Sequence, residues 1–295
     1  MDSLRETILM FTTTPLIAIV ILLEIIVSNV QRNERYKKID FIENMYLMVI
    51  NTLLDLGMRI IALMVLLQVF DHRIFHINNP IIYWILIFIL EDITFYTIHW
   101  VDHNVRLFWA VHVTHHSSTD FNISVGLRSS LFEPIYRFIY FIPMAWLGFH
   151  PIDIFFVYSV TQLYGVFIHT QYIKKMGFWE YLFATPSHHR VHHGSNIKYL
   201  DKNMGMFLII WDKIFGTFQK EEEPVVFGLT KNLSSHRIDH VILHEFRDIL
   251  KDVKAAPGIR NKLMYIFGPP GWSHDGSRLT TRQLQQEMDQ KNGSV

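Results

Sequence analysis

Long apolar stretches separated by short polar loops occupy the first part of the chain. They cover residues 8–30, 45–70, 81–103, 131–149 and 151–173. The first three reach the roughly 20 residues that a helix needs to cross a bilayer. The fourth is short and interrupted by prolines, and we expect it to form a hairpin with the fifth. The pattern predicts an all-α, integral-membrane helical bundle with about four to five membrane segments.

Polarity divides the chain into three parts. We predict N-terminal membrane helices over 1–78, a core over 79–220 that carries the motifs described below, and a C-terminal cytoplasmic helix and tail over 221–295. From about residue 174 the sequence is polar and mixed, and apolar periodicity predicts an amphipathic helix over 236–253. We expect the polar part to form a helical cap on one end of the bundle.

Charged residues interrupt the second apolar stretch. Asp55 and Arg59 lie four residues apart, so on a helix they share a face and can pair. Hydrocarbon penalises charged groups that do not face other helices. We therefore expect this pair to point into the bundle.

Composition limits the classes of function. Half of the residues are apolar, and 27 basic residues balance 27 acidic ones. The chain has no global positive field to hold nucleic acid, and nucleic acid is excluded as a partner. Because the sequence contains no cysteine, any metal must be bound through nitrogen or oxygen ligands.

Eight histidines fall into three closely spaced boxes. The boxes are His99-xxx-His103, His112-xx-His115-His116 and His189-xx-His192-His193. On a helix, positions i, i+3 and i+4 share one face, so each box directs its imidazoles toward a common point. Eight imidazoles exceed the usual four ligands of one zinc ion, and we predict a site for two metal ions. Imidazole suits iron, zinc and copper alike, so ligand type alone does not select the metal.

The histidines outside the three boxes differ in their expected roles. His169 lies near the end of the fifth apolar stretch, and we predict it as a ninth metal ligand. His188 should point away from the direction of His189 on a helix. The stripe of His236, His240 and His244 is best explained as an amphipathic surface.

Carboxylates commonly orient metal-bound histidines by accepting the other ring N–H. Asp92 lies seven residues before His99 on the same helix face, and we predict it as such a partner in preference to Glu91. A buried helix-packing role is the alternative for either residue. Further candidates lie closer to the boxes, namely Asp102, Asp120, Asp201 and Asp212.

The orientation in the membrane follows from basic residues in short loops. Loop 31–38 carries four of them, whereas the loop near residues 71–80 carries fewer, so the first should face the cytoplasm. Following the chain onward places residues 103–130 and the C-terminal part on the same side. The sequence thus predicts a multi-pass protein with its metal site on the cytoplasmic face.

The amino-acid sequence around the boxes resembles that of a known family. The segments EDITFYTIHWVDHNVRLFWAVHVTHHSS, PSHHRVHHGSNIKYLDKNMGMFLIIWDKIFGTF, EEEPVVFGLT and RNKLMYIFGPPGW are similar to the fatty acid hydroxylase and sterol desaturase superfamily. They most resemble its alkylglycerol monooxygenase branch and the bacterial relatives of that branch. The resemblance covers roughly residues 80 to 272.

The resemblance implies a di-iron enzyme. The eight box histidines would be the catalytic residues and would bind two iron ions that use O2 to hydroxylate an unactivated C–H bond of a lipid. The substrate would be an ether lipid, an acyl chain or a sterol. The reductant would be external, either tetrahydrobiopterin, as in the alkylglycerol branch, or an electron-donor protein of the cytochrome or ferredoxin type. We expect an apolar substrate slot that includes Tyr96, Phe108 and Trp109, although these aromatics can equally pack the bundle.

Three alternatives use the same residues differently. A lipid or sterol desaturase would have the same di-iron site and differ only in the fate of the substrate radical. A non-enzymatic metal-binding membrane protein would need no O2. A lipid-binding scaffold with degenerate boxes is disfavoured because all eight box positions are intact.

Overall fold

Helices form almost all of the regular structure. The computed structural model describes residues 2–292. Its helices are α1 (Asp2–Gln31), α2 (Lys38–Asp71), α3 (Pro80–Asn104), α4 (Arg106–His116), α5 (Glu133–Arg137), α6 (Ile142–Leu147), α7 (Pro151–Phe167), α8 (Pro186–His192), α9 (Ile210–Phe215), α10 (Ile238–Ala255), α11 (Gly258–Phe267) and α12 (Thr281–Asn292). Short 3₁₀ turns lie at Ile123–Leu127, Phe138–Phe141, Gly177–Tyr181 and Ile197–Tyr199. Within residues 2–292 the only β pairing is two isolated bridges, which confirms the all-α prediction.

Among the described residues, three helices are long and apolar enough to cross a membrane. They are Phe11–Gln31 within α1, all of α2, and all of α3. Only 11% of the most apolar window of α2 is buried within the protein, so most of its apolar side chains face outward. An outward apolar surface of this extent is stable in lipid and unstable in water. The chain is therefore an integral membrane protein.

The fourth apolar stretch is not a single helix. It is divided into α5, a 3₁₀ turn and α6, and prolines lie in the first turn of both α5 and α6. The chain then reverses at Gly148, which has a φ of 113° and lies so close to Phe75 that a Cβ atom would be 2.3 Å from the Phe75 carbonyl oxygen. The expected hairpin forms with α7 as its second arm, and α7 is only 17 residues long.

A hydrophobic core holds the membrane helices in register. Side chains from α2, α3, α6 and α7 meet there, and Leu66, Ile87, Met144 and Ile154 are fully buried among them. In water, burying a large apolar side chain contributes about 1.5–3 kcal/mol to stability. In lipid, the stabilisation comes from close packing between helices. The core lies toward the first half of α3, and the histidines lie at the other end of that helix.

The cap packs on α4, which follows α3 after a one-residue break. The predicted amphipathic helix is α10, and it contacts both α4 and α11. Arg106, at the start of α4, is 2% exposed, and its guanidinium donates to Glu245 Oε1 and to Asp252 Oδ2, each at 2.6 Å. These two ion pairs attach α10 to the end of the membrane bundle.

Removing Arg106 should loosen the cap. We expect Arg106→Ala to lower the free energy of unfolding by about 3 kcal/mol, because two carboxylates lose a charged partner in a partly buried site. Lys251→Ala is the matched control, since Lys251 is exposed and pairs only with the exposed Asp248, and it should cost less than about 0.5 kcal/mol. Thermal unfolding in detergent and protease sensitivity of residues 229–237 measure the difference. Equal stability of the two variants would show that these ion pairs do not hold the cap.

Candidate metal centre

Nine histidines meet at the end of the membrane bundle. They form two groups, and within each group one ring nitrogen from every member lies within 4.8 Å of the others. The five-histidine group contains His99, His103, His112, His116 and His192. The four-histidine group contains His115, His169, His189 and His193. The structure therefore brings all eight box histidines together, and the predicted ninth residue joins them.

Each box with three histidines is shared between the two groups. His112 and His116, four residues apart on α4, enter the five-histidine group, whereas His115 enters the four-histidine group. In the third box, His189 and His193 belong to the four-histidine group, whereas His192 belongs to the five-histidine group. The i, i+4 pairs converge, and the remaining histidine of each box turns to the other group.

Ring nitrogens in the four-histidine group converge on His169. Its Nε2 lies 2.9 Å from His189 Nε2, 3.1 Å from His193 Nε2 and 3.4 Å from His115 Nε2. Two nitrogens that each lie about 2.1 Å from one ion are about 3.0 Å apart at a right angle and about 3.4 Å apart at the tetrahedral angle. The observed separations are those of ligands around one metal ion.

The five-histidine group has the same spacing. His112 Nε2 lies 3.1 Å from His99 Nε2 and 3.2 Å from His116 Nε2. The Nε2 atoms of His103 and His192 are buried and have no hydrogen-bond partner among residues 2–292. Buried polar atoms without a partner are uncommon in native structures, so these two indicate a ligand that the side chains surround.

Backbone carbonyls determine which ring nitrogen carries the proton. His115 Nδ1 donates to the Arg128 carbonyl at 2.9 Å, and His169 Nδ1 donates to the Gly165 carbonyl at 2.7 Å. A carbonyl can only accept, so both rings are protonated on Nδ1 and both Nε2 atoms carry a lone pair. These lone pairs face each other, an arrangement that a cation between them would turn from repulsive to favourable. His99 and His192 are held in the same way by the carbonyls of Met204 and Lys202.

Burial keeps the imidazoles neutral. It lowers the pKa of His115 to about 4. Burial, with neighbouring histidines adding to the effect, also holds the pKa values of His116, His192 and His193 well below their usual range. Neutral imidazole is the form that ligates a metal. The donor set, its spacing and its protonation state all fit a pair of divalent cations.

Asp92 does not contact any of these histidines. Its carboxylate accepts from the backbone N–H groups of Phe207 and Leu208 at 3.2 Å and from Trp211 Nε1 at 2.8 Å. It lies about 10 Å along α3 from His99, which is beyond the reach of an aspartate. Asp92 instead holds the loop that follows Met204, whose carbonyl receives the ring N–H of His99.

Two other aspartates lie against the histidine rings. Asp201 Oδ1 is 3.1 Å from His103 Nδ1, and Asp102 Oδ2 is 3.9 Å from His112 Nδ1. Both belong to the further candidates from the sequence. Asp212 acts on the backbone, since it accepts from the N–H groups of Met204 and Gly205. The last candidate, Asp120, pairs with Lys37.

Arg128 is a supporting residue that the sequence analysis missed. It is 1% exposed, its carbonyl orients His115, and its guanidinium donates to Glu43 at 3.1 Å and to the Thr114 carbonyl at 2.9 Å. The sequence does not indicate this buried role, because a single arginine in a polar loop is ordinarily exposed.

The remaining histidines stay outside the two groups. His188 is buried, but its Nδ1 accepts from the Thr185 backbone N–H at the start of α8. His236 lies 2.8 Å from Glu43. His240 and His244 line a cavity in the cap.

Two cavities reach the histidines from different sides. The membrane-side cavity, of about 330 Å³, is bordered mainly by α1, α2, α3, α5 and α7. It reaches His99, His112, His115, His169 and His189. The cap-side cavity, of about 550 Å³, is bordered by α4, α10 and the loops of the cap. It reaches the other four, His103, His116, His192 and His193.

The aromatics predicted for a substrate slot lie elsewhere. Tyr96 is hydrogen-bonded to Thr217 Oγ1 at 2.9 Å and lies about 100° around α3 from Phe95, which does border the membrane-side cavity. Phe108 packs against Tyr136. Trp109 borders the cap-side cavity. The membrane-side cavity therefore takes its walls from other residues.

Comparison with protein families matches the part of the chain that holds this centre. The family model described as fatty acid hydroxylase matches residues 84–217, which contain all nine histidines. This part of the chain is similar to the fatty acid hydroxylase family. The resemblance seen in the sequence is confirmed.

Similar proteins have related names. The alkylglycerol monooxygenase of Homo sapiens is 36% identical over 271 residues, covering 90% of this chain and 60% of that protein. The alkylglycerol monooxygenase of Danio rerio is 35% identical, with the same two coverages. The ornithine lipid hydroxylase of Rhizobium tropici is 27% identical over 46% of this chain and 41% of its own length. The chain thus spans about 60% of the length of the alkylglycerol monooxygenases named here. No solved structure matches it.

Replacing His169 should remove one metal ion selectively. We expect His169→Ala to reduce bound metal from about two ions per chain to about one, because the nitrogen on which the four-histidine group converges is lost. His188→Gln is the control, since it changes a buried histidine outside both groups and glutamine can still cap α8. Metal content of the purified proteins, measured by mass spectrometry of the ions, distinguishes the two. If His169→Ala kept its full metal content, His169 would not be a ligand.

Proposed function

We propose that this protein is a membrane-bound di-iron oxygenase that hydroxylates an unactivated C–H bond of a lipid with O2. The observation that carries the proposal is the division of nine histidines, eight of them buried, into two groups with metal-ligand spacing, directly beside a cavity among membrane helices. The match of residues 84–217 to the fatty acid hydroxylase family and the names of the similar proteins support a lipid substrate. The substrate classes are an ether lipid, an acyl chain or a sterol.

The residues of the two histidine groups would hold the irons. When bound, the ions would supply the redox chemistry with O2, which side chains alone do not provide. The contribution of the chain is to position the ligands through the carbonyls of Met204, Arg128, Gly165 and Lys202, and to exclude water from the centre.

The membrane-side cavity is the proposed route for the lipid. Apolar side chains from α1, α2 and α7 border it, including Ile17, Met48 and Leu163, so an alkyl chain can enter without crossing water. Its inner end consists of histidines from both groups. A carbon held there would lie beside the metal ligands.

An external reductant would supply the electrons. The cap-side cavity reaches a separate set of histidines and is bordered by polar residues such as Lys231, Asp248 and Arg278. Its volume suits a small polar donor such as a pterin, and a donor protein could dock over its mouth. Lipid and reductant would thus approach the centre from different sides.

We place the centre on the cytoplasmic face. Lys37 belongs to the basic loop between α1 and α2, and it forms an ion pair at 2.8 Å with Asp120, four residues beyond the second box. The basic loop and the histidines therefore share one end of the bundle. The excess of basic residues in that short loop favours the cytoplasmic side.

Isotope labelling tests the proposed reaction. Protein loaded with iron and supplied with a lipid, a reductant and heavy-isotope O2 should produce an alcohol that carries one heavy oxygen atom. His192→Ala should reduce turnover by at least about a hundredfold, because a ligand of the five-histidine group is lost. Mass spectrometry of the lipid products measures both effects.

The products separate the alternatives. A new double bond without heavy oxygen would identify a desaturase that uses the same site. Stoichiometric metal without O2-dependent change in any of the three lipid classes would favour a non-enzymatic metal-binding protein. The Lys254→Ala variant is the control for turnover, since Lys254 is exposed on α10 and borders neither cavity.

A further inference from the structure

Four charged side chains border the membrane-side cavity. Asp55 and Arg59 lie on α2, and Glu133 and Arg137 lie on α5. Arg59 Nε donates to Asp55 Oδ2 at 2.7 Å, Arg137 bonds to the other oxygen of Asp55, and Arg137 Nη1 lies 3.3 Å from Glu133 Oε1. We refer to these four residues as the ionic cluster. It confirms the pairing expected of Asp55 and Arg59 and extends it to a second helix.

Burying charged side chains within a membrane bundle costs free energy, so such residues are rare where they serve no function. Asp55 lies near the middle of α2, which is one of the three helices long enough to cross a bilayer. Ionisable residues in such positions face a cavity or another helix and commonly mark a pathway or a binding site. The helices would pack at lower cost with apolar side chains of the same size, so stability alone does not account for the cluster.

The ionic cluster adjoins the metal centre. A carboxylate oxygen of Glu133, one of Asp102 and a ring nitrogen of His112 all lie within 4.8 Å of one another. Glu133 therefore belongs both to the ionic cluster and to the surroundings of the five-histidine group. A molecule bound to the cluster would place its adjacent atoms beside the histidines.

Two polar groups in the cavity wall have no protein partner. Gln162 Nε2, on α7, and Ser130 Oγ, before α5, are buried and make no hydrogen bond within the part of the chain that the structure describes. Both residues border the cavity. A buried donor without a partner costs about 1–3 kcal/mol. Both donors would be satisfied by a hydrogen-bonding molecule inside the cavity.

We propose that the ionic cluster, together with Gln162 and Ser130, binds the uncharged, hydroxyl-bearing head group of the lipid substrate. Carboxylates of the cluster accept from hydroxyl groups, and Gln162 Nε2 donates to a hydroxyl or ether oxygen. The alkyl chain then extends along the apolar wall formed by α1 and α7. This inference rests on the proposed function and assigns residues to its substrate specificity.

The charge balance of the cluster selects an uncharged head group. Two arginines and two carboxylates sum to zero, and each arginine is already paired with a carboxylate. A phosphate would add negative charge to this neutral group and would be adjacent to Asp55, Glu133 and Asp102 in a site of low dielectric. Hydroxyl groups can bond to both signs of charge without that cost.

The position of the cluster also determines which carbon reacts. Because Glu133 lies beside His112, the carbons next to the bound head group are the ones that reach the histidines. Carbons near the far end of the alkyl chain are held away from the centre. The product should therefore be oxidised close to the polar end of the lipid.

Equilibrium binding tests the head-group site independently of turnover. The metal-loaded full-length protein is kept without O2 and without reductant, and it is titrated with a radiolabelled monoalkylglycerol, its dimethylated analogue and its phosphorylated analogue. We expect the dimethylated and the phosphorylated lipids to bind at least about tenfold more weakly, since each loses or opposes hydrogen bonds to the cluster. Gln162→Leu should weaken binding of the monoalkylglycerol about threefold to tenfold and should reduce its preference over the dimethylated analogue.

Gln68→Leu provides the matched control. Gln68 is exposed on α2, away from the cavity, so the same substitution should leave binding unchanged. Equal affinity for the three lipids, or equal effects of the two glutamine substitutions, would overturn the proposal. Tighter binding of the phosphorylated lipid would also overturn it and would identify an anion site. Lipid that binds with the expected preferences but is never oxidised would refute the proposed function and leave the head-group site standing.

Discussion

The structure depends on a close approach of imidazole nitrogens that is favourable only around cations. His115 and His169 donate their Nδ1 protons to carbonyls, and their lone pairs then face each other at 3.4 Å. In the five-histidine group, His99 and His192 likewise donate their Nδ1 protons to carbonyls. Among the described residues, the buried Nε2 atoms of His103 and His192 have no hydrogen-bond partner. A cation between these nitrogens would turn the contacts from repulsive to favourable and give the buried atoms a partner. Metal binding at this site would therefore be coupled to the packing of α4 against α3.

The residues around the centre hold the imidazole rings in position. Asp212 and Asp92 hold the loop over residues 204–211 by its backbone N–H groups, and that loop presents the carbonyl that orients His99. Arg128 likewise bonds to Glu43 on α2 while its own carbonyl orients His115. Each contact limits the rotation of an imidazole, so ligand positions are set before a metal arrives. This ordering lowers the entropy that binding would otherwise cost.

Much of this arrangement follows from local spacing along the sequence. The 3.6-residue period places His99 with His103 and His112 with His116, and apolar length identifies α1, α2 and α3. The division of each three-histidine box did not follow, because the period predicts a shared face and does not say which neighbouring element receives each ring. The roles of Asp92 and Tyr96 depended on distances between α3 and the loop over 204–217, and such long-range contacts leave no periodic signal. Asp201 contacts His103 across a separation of 98 residues, so this contact leaves no local signal either.

The two cavities explain why a bundle of apolar helices also contains so much charge. Under the proposed function, a lipid would need its reacting carbon beside a water-free centre, while protons and electrons would come from the aqueous side. The membrane-side cavity would meet the first requirement with the apolar side chains of α1, α2 and α7, and the cap-side cavity would meet the second with its charged residues. No histidine borders both cavities, so the nine-histidine centre itself is the partition between them. Burying the ionic cluster on the membrane side costs free energy, and its net charge of zero reduces that cost. Its polar atoms would still be able to bind a polar head group, as proposed above.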